Sequence, residues 1–189
     1  MSSPTFTAFC DGRFLASGNS TDVARAAHEV RARGAAGVMI FDDASGRQVE
    51  LDPFSPAPAF AGVTAPEAQP VRTGRGRPKL GVVAREVTLL PRHWEWLSGQ
   101  PGGASAALRR LVDEARRTSE GADRARRAQE ALYRVMSTLA GDLPGFEEAA
   151  RALYARDDER FDGLISGWSD GIRDYLARLA TTERAARET

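Results

Sequence analysis

The sequence predicts an α+β protein, and three observations carry that prediction. Short β-prone runs flank one amphipathic stretch near the N-terminus, a Pro/Ala-rich segment follows, and the last third shows helical apolar periodicity broken by glycines. The predicted segments are a ββαββ module, a Pro-rich linker, a strand-helix-helix unit, a helical bundle and a polar tail, over residues 1–52, 53–81, 82–119, 120–181 and 182–189.

Composition limits the classes of function. Hydrophobic residues make up 42% of the 189-residue chain, and no uninterrupted apolar run approaches the roughly 18 residues of a membrane helix. The N-terminus lacks a basic region followed by an apolar stretch, so we expect no signal peptide, no membrane partner and a cytoplasmic location. The one cysteine, Cys10, excludes an intrachain disulfide framework and a cysteine-rich zinc site.

The net charge of zero conceals an uneven distribution along the chain. Residues 1–70 carry 5 basic and 8 acidic side chains, residues 71–127 carry 13 and 6, and residues 128–189 carry 8 and 12. A basic segment of this kind suits a polyanion, because neutralising phosphates releases condensed counterions. The other interpretation is an arginine-rich helix surface that faces solvent and has no such partner.

The N-terminal module is predicted as strand, strand, helix, strand, strand. Asp11-Gly12 is a two-residue hairpin signal, because both turn positions need positive φ. Ser20 is the predicted N-cap of the helix, and Gly34 is the residue expected to end it. The four strands are predicted over residues 5–10, 13–17, 38–42 and 48–52.

Four carboxylates near the second strand pair are candidates for a metal or acid–base site: Asp42, Asp43, Glu50 and Asp52. No histidine or nucleophile accompanies them, and acidic residues beside a turn are typical of solvated hairpin ends. We therefore predict no catalytic residue, no metal and no cofactor. The module is interpreted as binding a small-molecule effector, a partner protein or its own copy.

The linker leads into the sequence GRGRPK, whose core at residues 75–78 resembles the AT-hook motif. That resemblance implies binding in the minor groove of A·T-rich DNA. Glycine lets the backbone lie deep in the groove, proline keeps the chain extended, and the arginines project into the negative potential. The implied contacts are Arg75, Gly76, Arg77, Pro78 and Lys79.

The strand-helix-helix unit is delimited by proline and glycine. Residues 82–90 are β-branched and extended, and Pro91 suits the first turn of a helix that continues to Gly99. A Pro-Gly-Gly turn follows, and Ser105 is the predicted N-cap of a second helix of about twelve residues.

This order is similar to that of the ribbon-helix-helix DNA-binding family over residues 82–117. In that family two strands from two subunits pair and enter the major groove, while the start of the second helix holds a phosphate through free N–H groups. The resemblance implies a homodimer with its ribbon at residues 84–90. The implied phosphate anchor is Gly103, Ala104 and Ser105. Alternation along the ribbon adds Arg85 as a DNA contact, and Arg109 and Arg110 on the outer side of the second helix are predicted to add electrostatic attraction.

The ribbon departs from the family pattern in one respect. With Leu90 inward, alternation points Arg85, Val87 and Leu89 toward DNA, and apolar side chains discriminate base edges poorly. The alternatives are a bulge in the strand, or a ribbon that only dimerises while the hook and the helix-start arginines hold DNA. An ordinary strand-helix-helix core fragment is the remaining interpretation.

The run VTLLPRHWEWLSGQPGGASAALRRLVDEARR also resembles a bacterial domain-of-unknown-function family. The resemblance extends over the chain. It implies a bacterial origin and no particular activity.

The last segment is predicted as a small helical bundle with a break at residues 141–145. A first helix is expected over residues 122–139, and Asp157-Asp158 and Asp170 are predicted to cap the last two helices. The tail from Thr182 is polar and is expected to fray.

These features predict a DNA-binding protein, either a transcriptional regulator or a nucleoid-type protein, rather than an enzyme. The alternative is a protein-interaction or assembly module whose arginines face solvent. An enzyme whose groups meet only in three dimensions is a third class, which a convergent set of polar groups in a deep pocket would support.

Overall fold

A computed structural model describes residues 4–53, 59–60, 83 and 85–188. The chain divides into two compact units: residues 1–63 with 120–189 form unit 1, and residues 64–119 form unit 2. The predicted α+β class is confirmed, because the strands lie in the N-terminal part and helices follow from Pro91 onward.

The elements follow the predicted ββαββ order and then continue as helices. The strands are β1 (Phe6–Cys10), β2 (Arg13–Gly18), β3 (Val38–Asp42), β4 (Val49–Glu50) and β5 (Ala59–Phe60). The helices are α1 (Ser20–Ala32), α2 (Pro91–Ser98), α3 (Gly103–Ala140), α4 (Phe146–Ala155), α5 (Asp158–Ile165) and α6 (Asp170–Arg187). Within the described ranges, no helix has the length and apolar character needed to cross a membrane.

The main sheet is antiparallel with strand order β2-β1-β3. Asp11 and Gly12 join β1 to β2 with φ values of 49° and 74°, which is the positive-φ pair that a tight hairpin turn requires. The predicted hairpin is therefore confirmed. Because β1 lies between β2 and β3, the backbone bonds on both of its edges are satisfied.

The second predicted strand pair differs in the structure. Only an isolated bridge between Phe41 and Gln48 links that pair, and β4 instead forms its ladder with β5. β5 lies inside the segment predicted as a linker. Strand pairing depends on backbone hydrogen bonds, so a Pro/Ala-rich composition that cannot form a core can still supply a two-residue strand.

The N-cap of α1 is Asn19 and not the predicted Ser20. The Asn19 side chain accepts a hydrogen bond from the Asp22 N–H at 3.0 Å, while Ser20 is the first helical residue. Asparagine caps as well as serine does, and its extended backbone places its oxygen over the first turn. Gly34 has φ +93° just past the helix, as predicted for the residue that ends it.

The prediction of two helices separated near residues 118–121 is wrong, because α3 runs without interruption for 38 residues. A glycine inside a helix costs only about 1 kcal/mol relative to alanine, so Gly121 does not stop it. Glu120 and Arg124 form an i,i+4 ion pair at 3.6 Å across this stretch. Ser105 lies within the first turn of α3 and is not its N-cap, since the helix begins at Gly103.

The C-terminal helices begin close to their predicted positions. The break after α3 is confirmed, and Asp157 caps α5 by accepting from the Arg160 N–H at 3.2 Å. The N-cap of α6 is Ser169 and not the predicted Asp170, which is the first helical residue. The expectation of a frayed tail from Thr182 is wrong, because Arg187 binds the Asp158 carboxylate at 2.6 Å and α6 continues to that residue.

Residues 1–52 and 120–181, predicted as separate segments, share one compact unit. The sheet is covered on both faces. Phe6 and Ala8 of β1 pack with α1 in one cluster, while Phe9 joins Tyr175 in a second cluster formed mainly by α3 to α6. Alternation along β1 sends successive side chains to opposite faces, so this one strand contributes to both clusters.

Unit 2 is described from residues 83 and 85–119 and contains α2 and the first part of α3. Pro91 occupies the first turn of α2, as predicted. The predicted ribbon covers residues 84–90, of which the described residues 85–90 form no strand. In the family that they resemble, the ribbon acquires its ladder only from a second subunit, so the ribbon stays a prediction.

Candidate functional site

Five of the predicted DNA contacts, Arg75, Gly76, Arg77, Pro78 and Lys79, lie outside the described residues. The remaining six lie in unit 2. Arg85 is exposed in the extended stretch that precedes α2. Gly103, Ala104 and Ser105 form the start of α3, and Arg109 and Arg110 follow one turn later.

The start of α3 offers donors of the predicted kind. The Gly103 N–H is already used, because it donates to the Gln100 carbonyl oxygen at 2.9 Å. Ala104 and Ser105 lie in the first turn, where the helix does not bond its own N–H groups. The anchor predicted for three residues therefore reduces to the N–H groups of these two.

The basic side chains on this part of α3 share one side of the helix. At 100° per residue, Arg109, Arg110, Arg116 and Arg117 fall within an arc of about 120°. All four are exposed, and among the described residues none of them forms an ion pair with a carboxylate. Arg116 and Arg117 were not predicted as contacts, although the same helical spacing would have found them.

Large apolar side chains are also exposed in unit 2. Trp96 and Val112 each have 53% of their surface exposed, and Trp94 and Leu111 have 40%. Leu97 and Ala107 are the buried apolar residues of α2 and early α3. Large exposed apolar side chains are candidates for contact with a partner where they lie next to each other, as Leu111 and Val112 do on α3.

Asp43 and Glu50, two of the four carboxylates weighed as catalytic candidates, have partners within unit 1. Asp43 accepts hydrogen bonds from the Thr7 hydroxyl at 2.8 Å and from the Tyr175 hydroxyl at 2.9 Å. Arg178 donates to Thr7 at 2.7 Å and lies over the Tyr175 ring. Glu50 pairs with Arg31 at 3.6 Å. The sequence did not indicate the Asp43–Tyr175 contact, because 132 positions separate the two residues.

This polar network joins the sheet to α6 within unit 1. Burial raises the pKa of the Tyr175 hydroxyl far above its ordinary value, and the Asp43 carboxylate adds to that rise. Tyr175 therefore stays protonated and acts as a hydrogen-bond donor at all ordinary pH values.

We expect Tyr175→Phe to lower the free energy of unfolding by about 1–2 kcal/mol, because a half-buried carboxylate loses one of its donors. Urea denaturation followed by circular dichroism measures the change. Tyr154→Phe is the matched control, because Tyr154 is 55% exposed and its substitution should stay within about 0.5 kcal/mol. Equal effects of the two substitutions would contradict a stabilising role for the network.

The described residues do not contain a group of three or more His, Cys, Asp or Glu side chains placed to hold a metal ion.

Burial, followed by the neighbouring Asp11 carboxylate, raises the pKa of the Cys10 thiol. That direction is opposite to the one that activates a cysteine nucleophile.

The fold is that of an α+β protein with a sheet covered on both faces in unit 1, and with exposed arginines and exposed apolar side chains in unit 2. The chain belongs to a family of uncharacterized proteins conserved in bacteria, DUF2239, whose model matches residues 5–180. Neither a curated protein nor a solved structure matches the chain.

Proposed function

We propose that the protein binds DNA as a homodimer in the bacterial cytoplasm, as a transcriptional regulator or a nucleoid-type protein. The observation that supports this proposal is the cluster of exposed arginines on early α3: Arg109, Arg110, Arg116 and Arg117. Guanidinium groups without a carboxylate partner are the ones available to neutralise phosphates.

Dimerisation is the second part of the proposal. Leu111 and Val112 are adjacent and exposed on α3, and Trp94 and Trp96 are exposed on α2; these are large apolar side chains that a second copy would bury. In the ribbon-helix-helix geometry that residues 82–117 resemble, the second copy also completes the ribbon from residues 84–90. Arg85 and the first turn of α3 would then face the duplex, and the hook at residues 75–79 would enter an A·T-rich minor groove.

The same exposed apolar side chains favour the second candidate function, a protein-interaction or assembly module. The two proposals differ in their dependence on salt. Phosphate contacts give an affinity that falls steeply with salt concentration, whereas an apolar protein interface does not.

The test is fluorescence anisotropy of the full chain on A·T-rich and G·C-rich duplexes at several salt concentrations. We expect Arg109→Ala/Arg110→Ala to weaken binding roughly 10- to 100-fold near 0.1 M salt, and to reduce the slope of log K against log salt by about 2. Arg75→Ala/Arg77→Ala should abolish the preference for A·T-rich DNA.

The control is Arg25→Ala/Arg151→Ala, which removes the same charge from two exposed, ion-paired arginines of unit 1. This control should leave the salt slope unchanged. Binding that the Arg109/Arg110 and control variants weaken equally would point to unspecific attraction by net charge. The absence of salt-dependent binding to either duplex would favour the interaction module.

A further inference from the structure

A second basic feature lies within unit 1, in a groove between the turn after β3 and the middle of α3. The groove has a volume of about 290 Å³, which is close to the lower end of the range for small-molecule pockets. Its charged lining residues are Asp42, Arg47, Arg127, Glu130 and Arg134. No sequence pattern predicts that these residues lie close together, because the turn and the helix are about 80 positions apart.

The groove exists because the turn lies directly against the backbone of α3. Gly46 has φ +63°, and a Cβ atom at this position would lie 2.2 Å from the Ala131 carbonyl oxygen. Ala131 shares one side of α3 with Arg127 and Arg134, at i−4 and i+3. A small residue therefore admits the turn, and an arginine lies on either side of the contact.

The carboxylates of the groove already accept hydrogen bonds from neighbouring residues. Asp42 accepts hydrogen bonds from the Ala44 N–H at 3.0 Å and from the Ser45 hydroxyl at 2.9 Å. Glu130 accepts from Arg126 at 3.3 Å. Both carboxylates thus have partners within the protein, and three guanidinium groups outnumber them in the groove.

The guanidinium groups are partly held in position. Arg134 donates from Nη1 to the Ser45 carbonyl oxygen, and Arg127 donates from Nε to the Asp123 carbonyl oxygen at 3.0 Å. Each guanidinium carries five donors, so most of them stay available. Both backbone polar groups of Arg47 are hydrogen-bonded. Its N–H donates to Ser45 Oγ at 3.3 Å, and its carbonyl oxygen accepts from the Asp42 N–H at 2.9 Å.

We propose that this groove binds a phosphate group through Arg47, Arg127 and Arg134. Arginine donors in a fixed fork match the oxygens of phosphate, and two of the three are tethered before any ligand arrives. The phosphate belongs either to a small phosphorylated ligand or to the backbone of a nucleic acid. The first source would give the small-molecule effector expected at residues 1–52 a defined site. The groove lies in unit 1, so the proposal stands whether or not unit 2 binds DNA.

The test is isothermal titration of the full chain with inorganic pyrophosphate, together with duplex anisotropy on the same variants. We expect saturable pyrophosphate binding that weakens about 10-fold or more in Arg47→Gln and again in Arg47→Gln/Arg127→Gln, because each loses charge-assisted hydrogen bonds. These variants spare the Arg134 tether, and circular dichroism checks their fold. The control, Arg25→Gln/Arg151→Gln, should bind as the original chain does.

The two sources give different results. If the phosphate belongs to a small ligand, pyrophosphate binding should depend on Arg47 and Arg127 while duplex binding should not. If the phosphate belongs to a nucleic-acid backbone, the affinity for the duplex should fall in the same variants, and pyrophosphate should compete with the duplex. The proposal is overturned if the groove variants change neither titration, whatever the Arg109/Arg110 variant does to duplex binding.

Discussion

Replacing Phe9 by alanine is expected to lower the free energy of unfolding by about 3–5 kcal/mol. Phe9 belongs to the central strand of the sheet, is fully buried, and lies in the cluster formed mainly by α3 to α6. Its ring centroid lies 5.6 Å from that of Tyr175 and 6.4 Å from that of Phe41. Alanine leaves a cavity between elements from opposite ends of the chain, where neither side can move in to fill it.

Urea denaturation followed by circular dichroism at 222 nm measures this loss. Phe14→Ala is the matched control, because Phe14 lies on the adjacent strand, contacts Phe9 edge-on at 6.1 Å and is 49% exposed. We expect the control to cost about 1 kcal/mol, the value of one partly exposed aromatic contact.

The shape of the urea unfolding transition provides a second test. Because the sheet and the C-terminal helices share a core, both should unfold in one cooperative step. A Phe9→Ala transition that separates into an early loss of strand structure and an unchanged helical transition would mean that the two parts fold independently.

Replacing Gly46 by alanine is expected to lower the free energy of unfolding by about 3–4 kcal/mol, the sum of a backbone and a steric contribution. A non-glycine residue at φ +63° is strained. The added Cβ would also meet the Ala131 carbonyl oxygen at 2.2 Å, and this atom belongs to a helix backbone that cannot rotate away. Either the turn must move off α3 or α3 must bend.

Gly12→Ala separates the two contributions. Gly12 has φ +74°, and a Cβ added there would have no neighbour within 4 Å, so only the backbone strain of about 1–2 kcal/mol applies. The same denaturation experiment measures both variants. If Gly46→Ala cost no more than Gly12→Ala, the close approach between the turn and α3 would be wrong, and the phosphate groove would lose its geometric basis.

The success of the local predictions has a common cause. The Asp11-Gly12 hairpin, the proline in the first turn of α2 and the break after α3 each depend on the backbone preferences of two or three adjacent residues. Where two neighbouring residues are both good N-caps, the predicted N-cap is wrong by one position. Ser20 was predicted where Asn19 caps α1, and Asp170 where Ser169 caps α6.

The candidate sites divide in the same way. The sequence predicts that Arg109 and Arg110 share one side of a helix, because helical spacing alone determines this, and their role as DNA contacts stays a prediction. The sequence does not predict the groove formed by Arg47, Arg127 and Arg134, since no local pattern indicates that a turn approaches a helix many positions away.

The sequence by itself determined the class of the fold, the ββαββ order of the N-terminal module, the hairpin turn with positive φ and the basic character of the middle third. Only the tertiary structure decided that α3 is one continuous helix, that the N-terminal sheet and the C-terminal helices share a core around Phe9 and Tyr175, and that a turn meets α3 at Gly46. The physical reason is the range of the interactions involved. Turns and caps follow from the dihedral preferences of neighbouring residues, whereas packing between distant segments depends on shape and burial that no single segment encodes.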